Sequence, residues 1–219
     1  MTTHQIILLL VVLTFLILSL AIHEAAHAFV AYKCGDDTAK REGRLTLNPI
    51  DHIDPFMTVL LPLFLFLSTN GTFVFGGAKP VPVNPHRLRN PSRDMMFVAL
   101  AGPISNFVLA IIFLVVYKGL GVFGHYPADS LMMSAVFKGV ILNVFLAVFN
   151  LVPIPPLDGS RVVMHFLPQS KKHGYAQIER FGIFIIVGLF YFVPGFKGLL
   201  LGGVVKILGF LDFLTGGNW

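Results

Sequence analysis

The chain has 219 residues, 55% of them hydrophobic and only 12% charged, with a net charge of +5. A soluble domain of average composition carries about twice that charged fraction. The mean hydropathy of +0.79 and several long uncharged runs therefore exclude an ordinary soluble or disordered chain and point to a polytopic membrane protein. In that setting Lys and Arg mark cytoplasmic loops rather than a nucleic-acid surface. The single cysteine, Cys34, excludes an internal disulfide and a thiolate cluster. The length suits one compact bundle, a single domain over residues 1–219.

The first element expected is a transmembrane helix over residues 5–33. The N-terminus has neither a basic start nor a small-residue cleavage site, so this helix is expected to be retained. Gly35 is its expected stop. Near its end stands His23-Glu24-Ala25-Ala26-His27, an H-E-x-x-H pattern. On a helix the two histidines, four residues apart, project from one face. That pair suits a tetrahedral Zn²⁺, and Glu24 on the adjoining face can take a proton from a water that the ion activates. The competing reading is a helix end where polar residues meet the membrane surface. It accounts for one such residue better than for three at zinc spacing.

Residues 33–54 carry Lys33, Lys40, Arg41 and Arg44, and a basic stretch returns at His86, Arg87, Arg89 and Arg93. Both stretches read as cytoplasmic. Residues 56–85 between them contain an apolar run too short to span comfortably, then β-type residues around Gly76-Gly77. The simplest solution is a segment that dips into the membrane and returns, part helix and part β-hairpin, covered by protein or water. The alternative is an ordinary short span. A second transmembrane helix is expected over residues 94–117, with Ala101-Gly102-Pro103 permitting close contact and Asn106 needing a partner. A third is expected over residues 130–151. Three prolines within residues 153–156 then break the chain, and a short helix is expected over residues 158–166. Residues 169–180 are polar and basic. Two apolar stretches, residues 182–193 and 199–214, are expected to close the bundle as a hairpin. There is no internal repeat.

A catalytic zinc site uses three protein ligands and an open position. Asp158 is the best third candidate, because it follows a helix break at the expected depth of His23 and His27. It could equally be a helix N-cap, and the two roles are compatible. Asp51, His52 and Asp54 are rivals, with His165 and His125 less favoured.

Taken together, His23-Glu24-Ala25-Ala26-His27, Ala101-Gly102-Pro103 with Asn106, and Asn150 followed by Pro153-Ile154-Pro155-Pro156-Leu157-Asp158-Gly159 resemble the site-2 protease family of intramembrane zinc metalloproteases. The resemblance implies an all-α transmembrane bundle with a short membrane re-entrant β-hairpin around Gly76 and Gly77. It implies one Zn²⁺ per chain held by His23, His27 and Asp158, with Glu24 as catalytic base. Asn150 would bind substrate backbone. The partners implied are a transmembrane protein or peptide substrate and the lipid bilayer, with no nucleic acid. The location implied is a bacterial or archaeal cell membrane, with the active site toward the cytoplasm. No room is left for the PDZ domain that many members carry, so a minimal form is expected. A divalent-metal transporter or a non-catalytic membrane-protein binder is the alternative. A transporter has no use for a base beside the histidine pair and is expected to show inverted repeats.

Overall fold

The computed structural model describes residues 3–60, 64, 76–127 and 129–217. Eight α-helices are described: α1 Thr3–Lys33, α2 Thr38–Arg41, α3 Pro91–Val122, α4 Leu131–Asn150, α5 Asp158–Phe166, α6 Gln169–Gln177, α7 Gly182–Phe192 and α8 Pro194–Leu214. Among the described residues, four stretches are long and apolar enough to cross a membrane: Ile6–Lys33, Pro91–Val122, Leu131–Asn150 and Gln169–Phe192. The last joins α6 to α7, and its first half is the polar end.

Local chemistry sets the helix ends. At the end of α1 the amide of Asp36 bonds the Ala31 carbonyl at 2.9 Å and that of Gly35 bonds Tyr32 at 3.1 Å, with Gly35 at φ +109°. This is a Schellman closure, and glycine takes the positive φ without strain. Helix α3 opens with Asn90 as N-cap and Pro91 in its first turn, and Asp94 returns a bond to the Asn90 amide at 2.8 Å. It runs past the expected end at residue 117. Lys118 stays helical and donates to the carbonyls of Thr215 (3.0 Å) and Gly217 (3.1 Å) beyond α8. The closing stretches are separated by Val193, which precedes Pro194 and ends α7.

Helix α1 packs on α3 and α4, α3 packs on α4 and α5, and α4 packs on α8. The buried face of α1 is made of Ala21, Ala25, Ala28 and Ala31, and it meets a stretch of α3 where Ala99, Ala101 and Gly102 are also buried. Small side chains let the two backbones approach closely, as membrane helices require. Away from this seam, Ala110, Leu114, Val140, Val144, Val204 and Leu211 fill the core between α3, α4 and α8. Exposed Phe184, Phe192, Leu199 and Phe213 lie on the outside of the bundle, as expected where the solvent is lipid.

The three basic stretches gather at one end. Arg87 pairs with Asp37, the Arg89 amide bonds the Cys34 carbonyl at 3.1 Å, and Lys172 reaches Ser92 at 3.5 Å. Residues 56–85 start and finish at this end. The Gly77 amide bonds the Met57 carbonyl at 3.1 Å, and the Lys79 amide bonds the His52 carbonyl at 2.8 Å. The expected β-hairpin is not seen. Among the described residues there is no strand, and residues 76–84 form an irregular strap. Pro80, Pro82 and Pro85 remove the donors that a ladder needs. The strap is instead tied down at alternate residues. Thr58 Oγ1 donates to the Gly77 carbonyl at 2.7 Å and Arg44 to the Lys79 carbonyl at 2.7 Å. The residues upstream of Gly76 that would complete a hairpin lie outside the described ones.

Candidate metal centre

Helix α1 carries His23, Glu24 and His27 into the seam with α3. The two imidazoles are nearly enclosed, at 5% and 8% exposure, and their Nε2 atoms stand 3.0 Å apart. Their Nδ1 atoms decide what those Nε2 atoms are. His27 Nδ1 lies 2.7 Å from the Val98 carbonyl oxygen, which can only accept, so the ring proton sits on Nδ1. His23 Nδ1 lies 2.6 Å from Asn106 Oδ1, also an acceptor. In their neutral forms both rings therefore turn bare Nε2 lone pairs toward each other.

Asp158 closes the group. Its Oδ2 is 3.2 Å from His23 Nε2 and its Oδ1 is 3.4 Å from His27 Nε2. Oδ2 is buried and has no other hydrogen-bond partner, so the carboxylate faces the imidazoles directly. The N-cap position of α5 is Leu157, with no side-chain cap. Asp158 is the first residue inside the helix, and its carboxylate is aimed at the histidines. Gly159 allows this, since a Cβ there would collide with the Leu151 and Val152 backbone.

Two imidazole lone pairs and a carboxylate facing one another repel, and an unpartnered buried acceptor costs about 1–3 kcal/mol. A divalent cation removes both penalties. Two nitrogens and an oxygen are a zinc-type donor set with room for a fourth ligand. Both Nδ1 atoms are held from outside, as metal-binding histidines require. Gly102 of α3 completes the cradle: a Cβ on it would lie 2.5 Å from Nε2 of both histidines, in the space an ion needs. The donor set fits the ion.

Ligand atoms of Glu24 and the two histidines all lie within 4.8 Å of one another. The Glu24 carboxylate nevertheless has a different partner, accepting the Val81 amide at Oε2 at 2.9 Å. The Asp158 carboxylate approaches both imidazoles with its two oxygens, whereas Glu24 spends Oε2 on the strap. A cavity of about 400 Å³ opens over the group, lined among others by Glu24, Val81, Asn150, Asp158 and Arg161. Gly76 and Gly77 of the strap also line it. Asn150 donates back to the Leu146 carbonyl at 3.0 Å, which leaves its Oδ1 to accept.

The rival ligands are elsewhere. His52 turns Nε2 to the Thr46 carbonyl at 2.9 Å, and Asp54 caps the amides of Phe56 and Met57. His165 meets Ser92, and His125 bonds near the Phe123 carbonyl at the far end of α3. Burial and the neighbouring Asp94 carboxylate push the Cys34 thiol above its usual range, against a nucleophilic role. Sequence reasoning expected Gly102 to allow close packing, and missed that it borders the imidazoles themselves. It also missed Val81 as the partner of Glu24. No motif signals a backbone donor on a distant strap.

A bundle of apolar helices with a buried His–His–carboxylate cluster defines a multi-pass membrane protein built around a metal centre. The model of peptidase family M50 matches residues 11–134 and 120–193. "Putative zinc metalloprotease YwhC" of Bacillus subtilis is 42% identical over 178 residues, covering 80% of this chain and 77% of that protein. "Putative zinc metalloprotease Rip2" of Mycolicibacterium smegmatis is 34% identical over 173 residues, covering 79% of this chain and 63% of that protein. "Zinc metalloprotease MJ0392" of Methanocaldococcus jannaschii is 26% identical, covering 88% of this chain and 44% of that protein. No solved structure matches the chain. The chain belongs to peptidase family M50, the site-2 protease family. It is an intramembrane zinc metalloprotease.

Proposed function

We propose that His23, His27 and Asp158 hold the zinc, that Glu24 is the catalytic base, and that the substrate is a transmembrane segment of another membrane protein, cleaved within or near the bilayer. The observation that carries this reading is the pair of bare Nε2 atoms 3.0 Å apart with the Asp158 carboxylate beside them. Bound there, zinc supplies Lewis acidity for water and for the scissile carbonyl. Glu24 accepts the proton of the attacking water and hands one to the leaving amine as the C–N bond breaks. The Val81 amide holds the carboxylate of that base in place.

A helical substrate hides its carbonyls in hydrogen bonds and must unwind before attack. The strap around Gly76 and Gly77 suits an extended peptide. Gly77, Lys79 and Val81 spend backbone groups on the protein. In extended chain the intervening residues face the other way, and Pro80 and Pro82 offer carbonyls there to substrate amides. Asn150 Oδ1 accepts from the same exposed backbone. Residues 56–60 and 76–85 lie at the same end of the bundle, which supports a re-entrant reading whose middle lies largely outside the described residues, and residues 1–219 act as one domain. The gathered Lys and Arg support a site toward the cytoplasmic side of a bacterial cell membrane.

The test is cleavage of a single-span substrate by the purified protein in detergent or lipid. Cleavage should stop on adding a zinc chelator and in Glu24→Gln. Undiminished cleavage by Glu24→Gln rules out the proposed chemistry.

A further inference from the structure

Asn106 and Asn143 are both at 0% exposure, midway along α3 and α4. A carboxamide at that depth must be fully partnered, or an apolar residue of similar size would be more stable there. The partners form a line. His23 Nδ1 meets Asn106 Oδ1 at 2.6 Å, Asn106 Nδ2 meets Asn143 Oδ1 at 3.1 Å, and Asn143 Nδ2 meets the Gly139 carbonyl at 3.0 Å.

The far end of this line sets its polarity. The Gly139 carbonyl has no proton to give, so Asn143 must present Nδ2 to it and Oδ1 to Asn106. That oxygen only accepts, so Asn106 must present Nδ2 to it and Oδ1 to His23. The only neutral form of His23 that satisfies Oδ1 carries its proton on Nδ1. Its Nε2 is then a lone pair aimed into the metal centre. A pair of asparagines that merely filled the core would serve equally well in either orientation. Here one orientation alone leaves the ring able to bind a metal.

We infer that Asn143 is a positioning residue for the metal centre: through Asn106 it holds His23 in the tautomer that presents Nε2 as a ligand. The inference rests on reading His23 as a zinc ligand.

The experiment measures zinc affinity by competition with a chromophoric chelator for the wild type, Asn143→Leu, Asn143→Asp and His23→Ala. His23→Ala should lose tight binding. Asn143→Leu deprives Asn106 Nδ2 of its acceptor and frees the carboxamide to rotate, so affinity should fall by the ~10- to 100-fold typical of outer-shell losses. Asn143→Asp still accepts from Asn106 Nδ2 and should stay close to wild type. Wild-type affinity in His23→Ala overturns the ligand reading on which the inference stands. Loss in His23→Ala with wild-type affinity in folded Asn143→Leu overturns the positioning role alone. A second measurement needs no relay variant. In ¹⁵N-histidine NMR of the metal-free wild type, with His23 assigned by subtraction of a His23→Gln spectrum, Nδ1 should be the protonated nitrogen. A neutral ring with its proton on Nε2 overturns the inference.

Discussion

The backbone amide of Val81 donates to Oε2 of Glu24 at 2.9 Å across 57 residues of sequence. A strap with no regular structure thus grips the carboxylate next to the histidine pair. A hydrogen bond to an ionised group contributes about 1.5–3 kcal/mol, enough to hold one rotamer over the others. Val81 precedes Pro82 and is already biased to extended backbone, so Val81→Pro deletes the donor with little change of path. We expect turnover to fall at least tenfold, since a ΔΔG‡ of about 1.4 kcal/mol is a factor of ten, with zinc content unchanged. Glu24→Gln should fall further, by about 10²–10⁴. Full turnover in Val81→Pro would mean the amide contact has no part in placing the base.

His23→Ala, His27→Ala and Asp158→Ala should each lose zinc and activity together. Metal analysis of the purified variants against about one Zn²⁺ per chain in the parent is the check. Asp158→Ala is the informative member, because Glu24 is the other carboxylate within reach. Full occupancy in that variant would move the third ligand to Glu24 and leave the base unassigned.

Gly102→Ala should abolish zinc binding, because the new methyl would lie 2.5 Å from Nε2 of both histidines. Helix propensity favours alanine over glycine by about 1 kcal/mol, so a general weakening of α3 cannot explain such a loss. Gly119→Ala on the same helix has nothing within 4 Å of its added carbon and should keep its metal. Equal zinc content in the two variants would show that α3 does not border the ion.

The shared end of the three basic stretches makes a topological prediction. In a Cys34→Ser background, a cysteine replacing Arg89 should react with a membrane-impermeant thiol reagent only from the cytoplasmic face. A cysteine replacing Phe123, 84% exposed at the other end of α3, should react only from the opposite face. Labelling of both from one side would break the proposed orientation of α3.

Composition and period were enough for the class of protein and for half of the metal centre. Low charge and long apolar runs leave a chain no soluble fold, and the four-residue spacing of His23 and His27 becomes geometry once the segment is helical. The end of α1 was legible for the same reason: Gly35 acts on its own neighbours, whereas the starts of α3 and α8 at Pro91 and Pro194 came three and five residues before the expected ones. Residues far apart in sequence were another matter. Asp158, His52 and Asp54 are all plausible donors on paper. Only the packing of α5 against α3, with Gly159 on the Leu151 backbone, aimed Asp158 at the imidazoles. The β-type residues before Gly76 suggested a hairpin, but prolines at 80, 82 and 85 cannot donate to a ladder. The strap's path was decided by Arg44, His52 and Thr58 reaching its backbone from other segments. The tautomers of the two histidines were likewise set by Val98 and Asn106 of α3. A side chain's chemistry travels with the chain, but the direction of its lone pairs depends on which acceptor the tertiary structure puts beside it.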